Sequence, residues 1–92
     1  MNKFALIGDA ETLIGFKIGG ISVDDNIYIY IGNDTSVDEI NKKYNEIIKN
    51  EDVKIIFICD YVATKIEEEL NKHINLIPTV MIIPSSKNKL HN

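Results

Sequence analysis

Arginine is absent from this sequence: all ten cationic side chains are lysines. That excludes arginine fingers and the planar guanidinium fork that grips phosphate or guanine at two points. Fourteen acidic residues outnumber the ten lysines, giving a net charge of −4 and an isoelectric point near 5.0. Proteins that hold nucleic acid present a basic face instead, so no nucleic-acid partner is expected. Cysteine is nearly missing too. The single Cys59 cannot close an intramolecular disulfide, which suits a reducing, cytosolic compartment. Long hydrophobic runs are also lacking, none approaching the roughly 18–20 residues of a membrane span. The apolar stretch near the N-terminus meets an acid at Asp9, too soon for a secretory signal. A soluble chain without direct membrane insertion is expected.

What is present fits one small domain. The 92 residues are 45% apolar and 26% charged, an ordinary globular balance. Isoleucine supplies 18 of them, which favours buried strands of stiff, β-branched side chains. Apolar runs at Phe4–Ile7, Ile27–Ile31, Val53–Ile58 and Val80–Ile83 alternate with helical patterns. After the first run, Ala10, Leu13, Ile14 and Ile18 predict one apolar face of a short helix capped by Asp9 and stopped by Gly19–Gly20. After the second, Ser36 and Glu39 form a capping box ahead of Val37, Ile40, Tyr44, Ile47 and Ile48. After the third, Asp60 is expected to cap a helix carrying Val62, Ala63, Ile66, Leu70 and Ile74, with Lys65–Glu69 and Glu68–Lys72 pairs on its wet side.

The order βαβαβαβ predicts an α/β fold: a four-stranded parallel sheet, strand order 2-1-3-4, with helices on both faces, of the Rossmann-like or flavodoxin-like kind. The Ile27–Ile31 strand falls at an edge, and the nearly continuous Val53–Ile58 run is expected to be covered on both sides. Residues 1–84 make the domain and 85–92 a short polar tail.

Ligands of open α/β sheets bind beyond the carboxyl ends of the strands. Those ends offer Asp9, Asp34, Asp60 and Ser85–Ser86. The first βα turn, Gly8–Asp9–Ala10–Glu11–Thr12, lacks a dinucleotide fingerprint, and its acids repel phosphate. Asp9 and Asp60 close the first and third strands, where receiver domains hold Mg²⁺ and a phosphoacceptor aspartate. One reading is therefore a degenerate receiver-like signalling domain with Asp60 as phosphoacceptor; the plainer one makes both aspartates helix caps. Cys59 reads as a small core side chain, and His73 as a residue suited to a helix C-terminus. Two histidines and one cysteine at wide spacing are no zinc signature. No catalytic residue, cofactor site or metal site is expected.

Several segments carry a family resemblance. Leu6–Ile7–Gly8–Asp9–Ala10–Glu11–Thr12, then Gly15–Phe16 and Gly19–Gly20–Ile21, resemble the IGDxDTxxGFxLGGI signature of the F subunit of vacuolar-type (V-type) proton ATPases. Asn33–Asp34–Thr35–Ser36–Val37 with Glu39–Ile40, then Asp52–Ile58, then Ile77–Ser85 match further family segments in the same order. The similarity covers residues 4–86, and the Gly19–Gly20 pair is similar to the eukaryotic form. The resemblance implies a non-catalytic central-stalk subunit of a proton-pumping rotary ATPase. It would grip the coiled coil of the D subunit within a hetero-oligomeric V1 sector, on the cytosolic face of vacuolar or other endomembranes. Family chains usually continue into a C-terminal helix or tail, where this sequence has only Lys87–Asn92. Isoleucine at 82 replaces a family acid. The expected grip comprises Phe16, Gly19, Gly20, Ile21, Ile82, Ile83 and Pro84, because glycines admit close backbone approach and the last strand's edge needs covering.

Overall fold

The computed structural model describes residues 3–19, 26–73 and 75–84. Four parallel strands, β1 (Lys3–Gly8), β2 (Ile27–Tyr30), β3 (Val53–Cys59) and β4 (Thr79–Ile83), form one sheet in the order β2-β1-β3-β4. This is the strand order expected from the sequence pattern. Helix α1 (Ala10–Ile18) follows β1, α2 (Val37–Ile48) follows β2, and α3 (Asp60–Lys65) and α4 (Glu67–Asn71) follow β3. The expected 85–92 tail lies outside the described residues.

Register assigns the side chains to two faces. Ala5, Ile27 and Ile56 are cross-strand partners, as are Ile7, Ile29 and Ile58. These residues point toward α2 and α3, where Ile40, Tyr44, Ile47, Val62, Ala63 and Ile66 complete the main core. Side chains alternate along a strand, so Phe4, Leu6, Tyr28, Phe57 and Met81 point the other way. That face receives α1, whose Phe16 ring lies edge-on or tilted against Phe4 and Phe57 at 6.4 and 5.6 Å.

Right-handed crossovers produce this asymmetry. Moving from β1 to β2 carries α1 to one face, whereas β2 to β3 and β3 to β4 carry the later helices to the opposite face. Two crossovers thus cover one side and a single nine-residue helix the other. The expectation that β3 is covered on both sides is corrected accordingly: Ile56 and Ile58 are buried, but Ile55 is exposed and Phe57 half-buried.

The helices differ from the sequence reading in three further ways. On α1, the packed side carries Leu13 and Phe16, while Ile14 and Ile18, expected inside, are 52% and 81% exposed. The helix after β3 is two short helices rather than one. Its break is at Ile66, whose N–H is shared between the carbonyls of Val62 and Ala63. Glu67, Glu68 and Glu69 then fall in the first turn of α4, where the helix dipole favours negative charge. The break also spoils the expected i,i+4 pairing: Lys72 meets Glu69 at 3.0 Å, and Lys65 lies over the Tyr61 ring. Finally, Cys59 occupies the N-cap position of α3 and Asp60 is its first helical residue. Asp60 bonds the neighbouring Tyr61 N–H at 2.7 Å instead of capping from outside.

Candidate functional site

Two regions invite inspection: the carboxyl ends of the strands, and the sheet face and edge that hold the expected grip residues. At the strand ends, Asp9 is the N-cap of α1. Its Oδ1 accepts from Thr12 N at 2.9 Å and from the Thr12 hydroxyl at 2.7 Å. The Thr12 hydroxyl in turn accepts from the Cys59 thiol at 3.3 Å, and the Tyr61 hydroxyl bonds Asp9 from the other side. This chain of hydrogen bonds ties the ends of β1 and β3 to the first turns of α1 and α3. Burial raises the Cys59 thiol above its ordinary pKa, outweighing the Thr12 bond that lowers it. Burial and then the Asp9 charge raise the Tyr61 phenol. Cys59 is therefore a protonated, enclosed thiol, not an activated nucleophile.

The adjoining cleft, about 210 Å³, is lined by Asp9, Glu11, Tyr30 and Asn33 among others, and a shallower hollow of about 480 Å³ beside it by Tyr30, Asn33, Asp34, Thr35 and Glu39. Small-molecule pockets are mostly apolar, whereas acids and amides line much of both hollows. Among the described residues, no group of three or more His, Cys, Asp or Glu side chains could hold a metal ion. Asp9 is engaged as a cap, and Asp34 is exposed in the turn after β2. His73 follows α4, its Nε2 2.7 Å from the Pro78 carbonyl oxygen, and so closes the loop into β4. Asp9 and His73 thus each have a structural task.

The expected grip residues are spread along the sheet. Helix α1 runs antiparallel to β1, so Gly19, its C-cap, lies near the end where the strands begin. Ile82, Ile83 and Pro84 lie near the end where they finish. Phe16 lies between, half-buried against Phe4 and Phe57. Ile82 is 60% exposed, Ile83 half-buried and Pro84 exposed. Gly20 and Ile21 lie outside the described residues. Sequence reasoning missed two exposed apolar residues between these positions, Ile55 and Met81. The available signal for Met81 was that β4, Thr79–Ile83, is uncharged and lies at the sheet edge.

Residues 4–92 match the family described as ATP synthase (F/14-kDa) subunit. The chain belongs to this family. The V-type proton ATPase F subunit of Homo sapiens is 33% identical over 87 residues, covering 90% of this chain and 73% of the human protein. The A-type ATP synthase F subunit of Thermococcus kodakarensis is 34% identical over 65 residues, covering 71% of this chain and 61% of that protein. Among solved structures, the crystal structure of the V-type ATP synthase F subunit from Archaeoglobus fulgidus aligns with a TM-score of 0.60 at 26% identity. The alignment covers 89% of this chain and 96% of that one. The four-stranded parallel fold is therefore shared with a family of rotary-ATPase subunits. No helix among the described residues is long and apolar enough to cross a membrane.

Proposed function

We propose that this chain is a non-catalytic subunit of the central stalk of a V-type proton-pumping ATPase, where it grips the coiled-coil D subunit. In this reading it helps couple ATP hydrolysis, performed by other subunits, to proton movement. It resides at the cytosolic face of vacuolar or other endomembranes, held there through the complex. The family match over residues 4–92 carries the reading. The strand ends support it: their acids and hydroxyls are bonded to one another, an arrangement that stabilises a rigid body. Rigidity is what a torque-bearing grip requires, and the seven residues named above are its proposed contacts.

The test is to tag the full chain in its own organism and purify the ATPase from native membranes. The tagged chain is expected to co-purify with the complex and to bind the recombinant D subunit. Absence from the purified ATPase, with no binding to the D subunit, overturns the reading. The receiver-like alternative requires labelling of Asp60 by acetyl phosphate in the presence of Mg²⁺. No labelling is expected, since Asp9, the carboxylate nearest in topology, is fixed as a helix cap.

A further inference from the structure

Helix α4 is held lightly. It is five residues long, has no fully buried residue and lacks a side-chain cap at its N-terminus. One turn has little stability of its own, because fixing the first turn of a helix costs more than its hydrogen bonds return. Its hold on the rest of the chain comes from the half-buried Leu70, packed against the main core, and from a long hydrogen bond that Asn45 Nδ2 on α2 donates to Glu69 at 3.3 Å. Both flanks are firmer. Before α4, Ile66 is buried and its N–H bonds the carbonyls of Val62 and Ala63 in α3. After it, His73 Nε2 lies 2.7 Å from the Pro78 carbonyl oxygen at the entry to β4. Residues 67–72 are therefore a strap between two anchored points.

The strap lies beside a stranded polar group. Tyr44 of α2 is 1% exposed, and its hydroxyl has no hydrogen-bond partner among the described residues. Its neighbour in sequence, Asn45, is the residue that holds Glu69, and the Glu69 charge reaches the phenol without bonding it. A hollow of about 190 Å³ separates the last turns of α2 from the strap, lined by Tyr44, Asn45 and Ile48 on one side and by Glu69, Lys72 and His73 on the other. The hydroxyl itself is closed off from solvent although the hollow is alongside. A small displacement of the strap is enough to join the two.

We propose that residues 67–72 are a lid that lifts away from α2, hinged at Ile66 and His73, and admits water to the Tyr44 hydroxyl. Closed, the lid keeps a polar group without a partner; open, it lets that group be hydrated. The gain offsets much of what opening gives up, which is the partial burial of Leu70 and one turn of helix. Opening breaks the bond from Leu70 N–H to the Ile66 carbonyl and the bond from Asn45 to Glu69, and water replaces both. Ile40, Ile47 and Ile66 remain in the main core, so the sheet and the two larger helices stay in place. The lid is a property of this chain alone and does not depend on the stalk reading.

Amide hydrogen exchange, followed by NMR on the full chain, tests the lid. The amides of Leu70, Lys72 and His73 are bonded within and just after α4. They are expected to exchange at least about tenfold faster than those of Tyr44 and Ile47 in α2, at a rate that about 1 M urea leaves unchanged, since a small opening exposes little new surface. Tyr44→Phe removes the group whose hydration favours opening, so it is expected to slow the three lid amides by about fivefold or more. Asn45→Ala, at an exposed position, removes the tie to Glu69 and is expected to speed them by about twofold or more. Lid amides that exchange as slowly as those of Tyr44 and Ile47, with the same urea dependence, would mean that α4 opens only with the whole fold, and the proposal falls. It falls equally if the lid amides of the Tyr44→Phe chain exchange as fast as those of the natural chain, because the hydroxyl then has no part in the opening.

Discussion

Gly8 shows how much a single residue position can owe to a distant one. It ends β1 in regular strand pairing, opposite Tyr30, and needs no unusual backbone. What it needs is the absence of a side chain. A Cβ at this position would clash with the Cys59 sulfur and press on Thr12 at 3.5 Å. Cys59 itself is fully buried and hydrogen-bonded to Thr12, so its sulfur has little room to withdraw. Gly8→Ala is therefore expected to destabilise the chain by about 1–3 kcal/mol, the usual cost of overfilling a packed interior. The same substitution made on a Cys59→Ala background is expected to cost at least about 1 kcal/mol less, since contacting residues are non-additive. Urea unfolding of the four proteins measures the coupling; equal costs in both backgrounds would refute the steric account. The sequence shows a glycine after an apolar run, which reads as a turn. That its neighbour is a thiol from another strand becomes visible only when β1 and β3 are placed side by side.

At the level of elements, legibility tracked amphipathicity. Helix α2 has one apolar stripe, and Ile40, Tyr44 and Ile47 are buried as its period requires, behind a Ser36 cap that accepts from Glu39 N. Helix α1 has apolar residues on most sides, so the period put Ile14 and Ile18 inside although Leu13 and Phe16 are the ones that pack. Its cap was legible: Asp9 precedes the helix and bonds both the backbone and hydroxyl of Thr12. Asp9→Ala is expected to cost about 0.5–2 kcal/mol, read from the urea midpoint, as loss of an N-cap does elsewhere. The break at Ile66 was not legible, because Val62, Ala63, Ile66 and Leu70 fit a continuous helix equally well. Helix α2 also holds a defect that its pattern hides. The Tyr44 hydroxyl is buried with no hydrogen-bond partner among the described residues. Tyr44→Phe keeps the ring and removes the stranded group, so it is expected to stabilise the chain by about 1 kcal/mol, since a lone buried polar group costs about 1–3. A lower unfolding midpoint for this variant would show that the hydroxyl is satisfied in solution.

Across the whole molecule, the topology followed from the alternation of apolar runs and helical patterns, but the half-open face did not. A continuous apolar run such as Ile55–Ile58 demands cover on both sides without saying whether the chain or a partner supplies it. The same enclosure has a consequence for how the entire fold responds to alkali. Three weak acids are held in their neutral forms. Burial raises Cys59; burial and then the Glu69 charge raise Tyr44; burial and then the Asp9 charge raise Tyr61. In each case the folded chain keeps a proton that the unfolded chain releases at the ordinary value, 9.0 for the thiol and 10.0 for the phenols. Above those values the unfolded state binds fewer protons than the folded one, so the free energy of unfolding falls as pH rises. The contribution is intact below pH 9.0 and is lost progressively above it, the thiol first. Urea midpoints are therefore expected to be flat between about pH 7 and about pH 8.5, then to decline steadily toward about pH 10.5. Cys59→Ala is expected to delay the onset of that decline to the tyrosine range, and Tyr44→Phe to shallow its later part. A midpoint that holds steady through pH 10.0 would show that these protons are exchanged without cost, and that the interior is more open than its packing indicates.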